Sequence, residues 1–181
     1  MRRLQERWAV ASLTGETAIV TGDGQQETSP AGPAKLAVAL GVVVGVVLAD
    51  QLAKWWAVDR LMTGPVHVIW RLDFDLSYNT GSAFSLFRGA TGVIVVVAVA
   101  LVSVLLVLVW RAPSLGRAAV LGLILGGALG NLADRFFRGL HGAVVDFVDF
   151  HFFPSFNVAD SCITVGCILL VVSLLFEGAK S

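Results

Sequence analysis

The chain has 181 residues, of which 56% are hydrophobic and only 14% charged, and its formal net charge is zero. A soluble domain of that length needs more charge to cover its surface, so the composition marks an integral membrane protein. The balanced charge also lacks the basic footprint of a nucleic-acid-binding protein.

Residues 1–34 mix Arg2, Arg3 and Arg7 with four acids, Thr, Gly, Gln and Pro. The Gly22-Asp23-Gly24 and Ser29-Pro30 steps break regular structure, so this stretch is expected to be a disordered tail without chemistry. No cleavable secretory signal is expected, because the first apolar run begins only at Leu36.

Four apolar runs follow, at Leu36–Ala49, Ala90–Trp110, Ala118–Gly130 and Cys162–Phe176. A membrane-spanning helix needs about 20 residues. Only the second run reaches that length unaided. The first must continue through Asp50 and Lys54 to Trp55-Trp56, the third through Asn131 to Asp134 and Arg135, and the fourth must begin near Asn157 and Asp160. Three helices therefore take polar residues to membrane depth, where such residues are costly and usually functional.

Loop charge sets the expected orientation. With the tail inside, the inner segments hold Arg2, Arg3, Arg7, Lys35, Arg111, Arg117 and Lys180, and the outer ones Arg60, Arg71, Arg88 and Arg138. Seven cations against four place both termini in the cytoplasm, with residues 178–181 as a short inner tail. The three polar clusters then meet at the outer leaflet.

The outer segment Asp59–Gly89 is long for a connection. Val66–Trp70 and Leu72–Leu76 read as short strands and Asn79-Thr80-Gly81 as a turn, giving a small β segment between helices 1 and 2. Arg111–Arg117, with Pro113 and Gly116, is a short inner turn that makes helices 2 and 3 a hairpin. Gly122, Gly126 and Gly130 form a small-residue stripe that lets a neighbouring helix approach closely.

The stretch Asn131–Asp160 holds Asp134, Asp146, Asp149 and Asp160 between hydrophobic runs. Asp50 and Lys54 are four apart and can pair, with Lys54 snorkelling outward. Asn131, Asp134 and Arg135 share a helix face and suit either a structural or a substrate-contacting role. Asn157 is a good N-cap, with Asp160 favoured in the first turn beyond it. Asp146 lies in a loop among Val144, Val145, Phe147 and Val148, a setting that raises a carboxyl's proton affinity. Two such acids, one protonated and one ionised, are what acid-base hydrolysis of an amide needs. Spacing leaves Asp149 and Asp160 both open as the partner of Asp146.

His67, His141 and His151 have no metal-ligand spacing, and Cys162 and Cys167 point about 140° apart on a helix. Neither a metal site nor a disulfide is expected from them. A small transporter or proton-conducting protein, using the acids as a relay, and a non-catalytic assembly or scaffold subunit are the competing functions. The relay fits poorly, since no charged residue lies between Arg88 and Arg111 or between Arg117 and Asp134.

The chain resembles bacterial lipoprotein signal peptidase (signal peptidase II) over Leu36–Phe176. The motifs stand in family order: Asp50-Gln51-Leu52-Ala53-Lys54, Asn79-Thr80-Gly81-Ser82-Ala83-Phe84, Gly130-Asn131-Leu132-Ala133-Asp134-Arg135, Val144-Val145-Asp146-Phe147 and Phe156-Asn157-Val158-Ala159-Asp160. Ala53 departs from the Ser or Thr usual before the motif lysine. The resemblance implies a four-helix membrane aspartic endopeptidase over residues 35–177, in the bacterial cytoplasmic membrane. Its substrates would be prolipoproteins, cut before a diacylglyceryl-modified cysteine in contact with membrane lipid, with no metal or cofactor and no nucleic acid, by a single chain. By motif match, Asp146 and Asp160 are the implied catalytic pair, and Asn79, Asn131, Arg135 and Asn157 line the substrate pocket. Asp50, Lys54, Gly81 and Asp134 fall on positions tied to architecture.

Overall fold

The computed structural model describes residues 32–81 and 91–178. Four helices in it are long and apolar enough to cross a membrane. They are α1 (Pro33–Leu61), α2 (Thr91–Trp110), α3 (Leu115–Phe137) and α4 (Val158–Gly178). Strands β1 (Val66–Ile69) and β2 (Leu72–Asn79) lie between α1 and α2, and β3 (Val144–Asp149) lies between α3 and α4. Residues 1–31 of the expected disordered tail fall outside the described residues, as does the end of the Asn79–Phe84 motif, while Pro33 and Ala34, expected in that tail, begin α1.

Helix ends follow local chemistry. Pro33 opens α1, where its missing N–H costs no hydrogen bond. Ser114 caps α3 by accepting from Arg117 N at 3.1 Å. Asn157 Oδ1 accepts from Asp160 N at 2.9 Å while Asp160 Oδ2 accepts from Asn157 N at 3.2 Å. That reciprocal pair closes the first turn of α4 in the manner of a capping box.

Helix α3 packs between α1 and α4, and its glycines explain how. A methyl group on Gly122 or Gly126 would strike α1 at Ala39 or Val46, and one on Gly127 would strike the Ala159 carbonyl of α4. Close backbone approach on both sides draws three helices together. Val102 and Val109 of α2, with Ala112 of the turn that follows it, bury against Ala39, Leu121 and Leu125. Large apolar side chains such as Leu40, Leu101, Ile168 and Leu175 stay exposed, as a bilayer-facing surface requires.

The strands form one antiparallel sheet in the order β1-β2-β3. The expected β segment between the first two helices is therefore present, but residues 144–149, expected as a loop, supply its third strand. An apolar run of six residues cannot be told from a buried loop or helix piece by its own pattern. Strand β2 also runs to Asn79, past the expected end at Leu76. Trp56 of α1, Phe74 of β2 and Phe147 of β3 meet edge-on with centroids 5.5–6.3 Å apart, fixing the sheet to the end of α1. Ala53 packs into this apolar cluster, which accounts for a methyl group where a hydroxyl is usual.

Candidate functional site

The site forms where α1 and α3 end, α4 begins, and β2 and β3 pair. Asp146 sits on β3 opposite Ser77 of β2 and is 1% exposed. After β3 the chain loops out through residues 150–155 and returns, so that Phe156 pairs with Val148. This return sets Asn157 beside Asp146. Asn157 Nδ2 lies 2.6 Å from Asp146 Oδ1, 3.1 Å from Asn131 Oδ1 and 3.2 Å from the Val145 carbonyl.

Asn131 of α3 carries the network on. Its Nδ2 donates to Asp160 Oδ1 at 2.8 Å, while its Oδ1 accepts from Lys54 Nζ at 2.9 Å. Asn79, at the end of β2, completes the ring of amides. Its Oδ1 accepts from Gly81 N at 2.8 Å, which leaves Nδ2 to donate to Asp146 Oδ2 at 3.0 Å. Gly81 has φ +80°, and a side chain there would run into Ile94 of α2. Both reasons require glycine at this turn.

Asp146 and Asp160 are thereby joined through Asn157 and Asn131, whereas Asp149 is not part of the network. Asp149 accepts from His151 N at 2.7 Å at the far end of β3. Burial pushes the Asp146 carboxyl from 3.8 up to about 6. The Asn79 hydrogen bond opposes that rise, and the neighbouring Asp160 charge adds to it. A cavity of about 440 Å³ opens beside the pair, lined by Asn79, Phe153, Phe156, Asp160, Thr164 and Val165. The cleft is walled mainly by apolar surface, with polar groups from Asn79, Asp160 and Thr164 among it, a form suited to a ligand with an amide and a hydrocarbon part.

Beneath the amides lies a buried ion cluster. Lys54 Nζ is 2.8 Å from Asp50 and 3.0 Å from Asp134, and all three side chains are inaccessible to solvent. The expected Asp50–Lys54 pair forms, but Lys54 does not snorkel outward, because a second carboxylate and Asn131 satisfy it inside. Arg138 joins Asp134 at 3.0 Å, and Gln51 donates to Asp134 and to the Gly130 carbonyl, each at 3.1 Å. Sequence reasoning overlooked both partners. The Asp134–Arg138 spacing of four was the available signal for one; nothing local pointed Gln51 across to α3. Arg135 donates to the Asn131 carbonyl at 3.3 Å.

The histidines do not reach this site. His67 and His151 converge on Asp73, at 2.6 and 2.9 Å, on the outer part of the sheet. Hydrogen bonding from His67, with His151 adding to it, holds the Asp73 carboxyl below its ordinary range. Among the described residues, no three His, Cys, Asp or Glu side chains are grouped as metal ligands. Cys162 and Cys167 are both free thiols.

The family model described as signal peptidase (SPase) II matches residues 42–176. A lipoprotein signal peptidase of Mycobacterium tuberculosis is 41% identical over 160 residues, covering 86% of this chain and 79% of that protein. Its counterpart in Rhodococcus jostii is 47% identical over 142 residues, covering 75% of this chain and 72% of that protein. The fold is similar to a solved bacterial membrane enzyme with a TM-score of 0.68 and 30% identity, covering 77% of this chain and 93% of that one.

Proposed function

The chain belongs to the signal peptidase II family, and on that premise we propose that it is an aspartic endopeptidase cutting prolipoproteins immediately before the diacylglyceryl-modified cysteine. Membership makes it a multi-pass bacterial membrane protease of lipoprotein processing. The aspartate pair, the site roles and the cleavage position are our reading. The observation that carries it is the joining of Asp146 and Asp160, from two different elements, by the side chains of Asn157 and Asn131 beside an apolar cleft.

Asp160 reaches the cleft and serves as the base, while the enclosed Asp146, whose burial raises its affinity for a proton, serves as the acid in its protonated form. Asp160 takes a proton from water as the water oxygen bonds to the scissile carbonyl carbon. Asp146 gives its proton to the carbonyl oxygen, forming a neutral gem-diol. Asp160 then protonates the departing amine nitrogen as the C–N bond breaks, and Asp146 takes back a proton from one diol hydroxyl. Both carboxyls end as they began.

Asn79, Asn131, Arg135 and Asn157 surround the pair and are assigned to holding the substrate backbone and the two acids. Loop charge favours both termini in the cytoplasm, which sets the site near the outer leaflet, where the lipidated cysteine of a membrane-anchored substrate resides. Residues 35–177 then act as the peptidase domain, and one chain supplies every site residue named, in favour of a monomer as the working unit.

The test is mass analysis of products from a lipidated prolipoprotein reconstituted with the enzyme in liposomes. The expected mature product begins at the lipidated cysteine, and the same precursor without diacylglycerol is cut far more slowly. A product ending elsewhere, or equal rates on both precursors, contradicts the assignment.

A further inference from the structure

The two carboxylates of the buried ion cluster share a relationship to the reacting pair that their sequence positions hide. Asp134 Oδ2 accepts from the backbone N–H of Val145 at 3.0 Å, and Val145 immediately precedes Asp146. Asp50 Oδ1 accepts from the backbone N–H of Ala159 at 2.9 Å, and Ala159 immediately precedes Asp160. Lys54 lies between these two carboxylates and also donates to Asn131, which holds Asp160. We propose that Asp50, Lys54 and Asp134 are positioning residues for the reaction: a single ion cluster grips the main chain one residue before each reacting aspartate and so sets the spacing of the pair.

The physical case is one of stiffness. Strand β3 and helix α4 are separate elements joined by a loop, and side-chain amides alone leave their relative position soft. Charge-assisted bonds from backbone N–H to carboxylate are short and strong, and burial strengthens them further. The cluster itself cannot drift, because Gly130 brings the backbone of α3 up against it. A methyl group on Gly130 would lie 2.7 Å from Asp50 Oδ2. The cluster is also electrically coupled to the pair, since the Lys54 charge favours ionised Asp146. The other charges facing Asp146 are Asp160 on α4 and Arg135 on α3.

This inference rests on the assignment of Asp146 and Asp160 as the reacting pair, and its test separates the two. We would measure kcat and KM for a lipidated precursor with wild type, Asp134→Asn and Gly130→Ala, each at a temperature where its unfolding curve shows it fully folded. Asp134→Asn removes a cluster charge, whereas Gly130→Ala leaves every charge in place and pushes the Asp50 carboxylate aside. The expected result is a fall in kcat of about 10- to 100-fold in the variants, with KM within about twofold, as small misplacements of reacting groups produce. A third variant, Lys54→Met, is expected to move the alkaline limb of the kcat/KM profile to higher pH, because Asp146 then holds its proton more tightly. Folded Asp134→Asn and Gly130→Ala with wild-type kcat, or an unmoved alkaline limb in Lys54→Met, would overturn the inference. With Asp146→Asn inactive, such a result sinks the positioning role alone. Normal cleavage by Asp146→Asn sinks the pair assignment beneath it.

Discussion

Asn157 caps the helix that presents Asp160 and, with the same side chain, holds Asp146 at 2.6 Å. One residue therefore ties secondary structure to the reacting carboxylates, and it is inaccessible to solvent. Replacing it by alanine removes the cap, which typically costs about 1 kcal/mol. It also leaves the buried Val145 carbonyl and the Asp146 carboxyl short of a donor. Asn157→Ala is expected to lower the thermal midpoint by several degrees and to lose most activity. Thermal unfolding in detergent and an activity assay on the folded fraction check both parts.

Asn79 is the contrasting case. It is exposed, it is fixed by Gly81 N, and its contact to Asp146 comes from the cleft side. Asn79→Ala should reduce kcat/KM by about 10-fold, the scale of one charge-assisted hydrogen bond, with little change in unfolding temperature. A large loss of stability would show that Asn79 serves the sheet instead.

The raised Asp146 carboxyl has a consequence for stability against pH. Its folded value of about 6 lies above the ordinary 3.8. A group of this kind contributes stability in full below its unfolded value, and the contribution is lost as pH rises through its folded value. Asp146→Asn does not titrate at that position. Wild type is therefore expected to gain on Asp146→Asn by up to about 3 kcal/mol as pH falls from 7.5 to 4. Parallel chemical denaturation at the two pH values measures the gain, and a pH-independent difference contradicts the burial that causes the shift.

Gly127 meets the Ala159 carbonyl across the α3–α4 contact. A methyl group there has rigid backbone to displace, so Gly127→Ala should cost about 1–3 kcal/mol by overpacking. Gly116, with open space around it, is the control, and Gly116→Ala should leave the unfolding temperature near that of wild type.

The parts of this fold that repeat a one-dimensional signal were legible in the sequence. Apolar length marked the four helices, and the need to extend three of them pointed to the polar clusters that meet at one end. The Asn157–Asp160 cap was likewise visible as a local pattern. What was not legible is what depends on distant pairing. Val144–Asp149 becomes a strand only because β2 lies beside it, so its apolar residues read alone as loop. Lys54 stays inside because Asp134, eighty positions later, provides a second carboxylate. The spacing of Asp146, Asp149 and Asp160 left the partner of Asp146 open from the residues alone. The return of the chain at Phe156 is what seats Asn157 between Asp146 and Asn131.

The central claim is that Asp146 and Asp160 together activate water. Its most direct measurement is single-turnover cleavage of a lipidated prolipoprotein in liposomes by wild type, Asp146→Asn, Asp160→Asn and Asp149→Asn, with folding of each confirmed by thermal unfolding. The account predicts no detectable product from folded Asp146→Asn or Asp160→Asn, while Asp149→Asn keeps most of the wild-type rate. Turnover at the wild-type rate by either of the first two variants would contradict it.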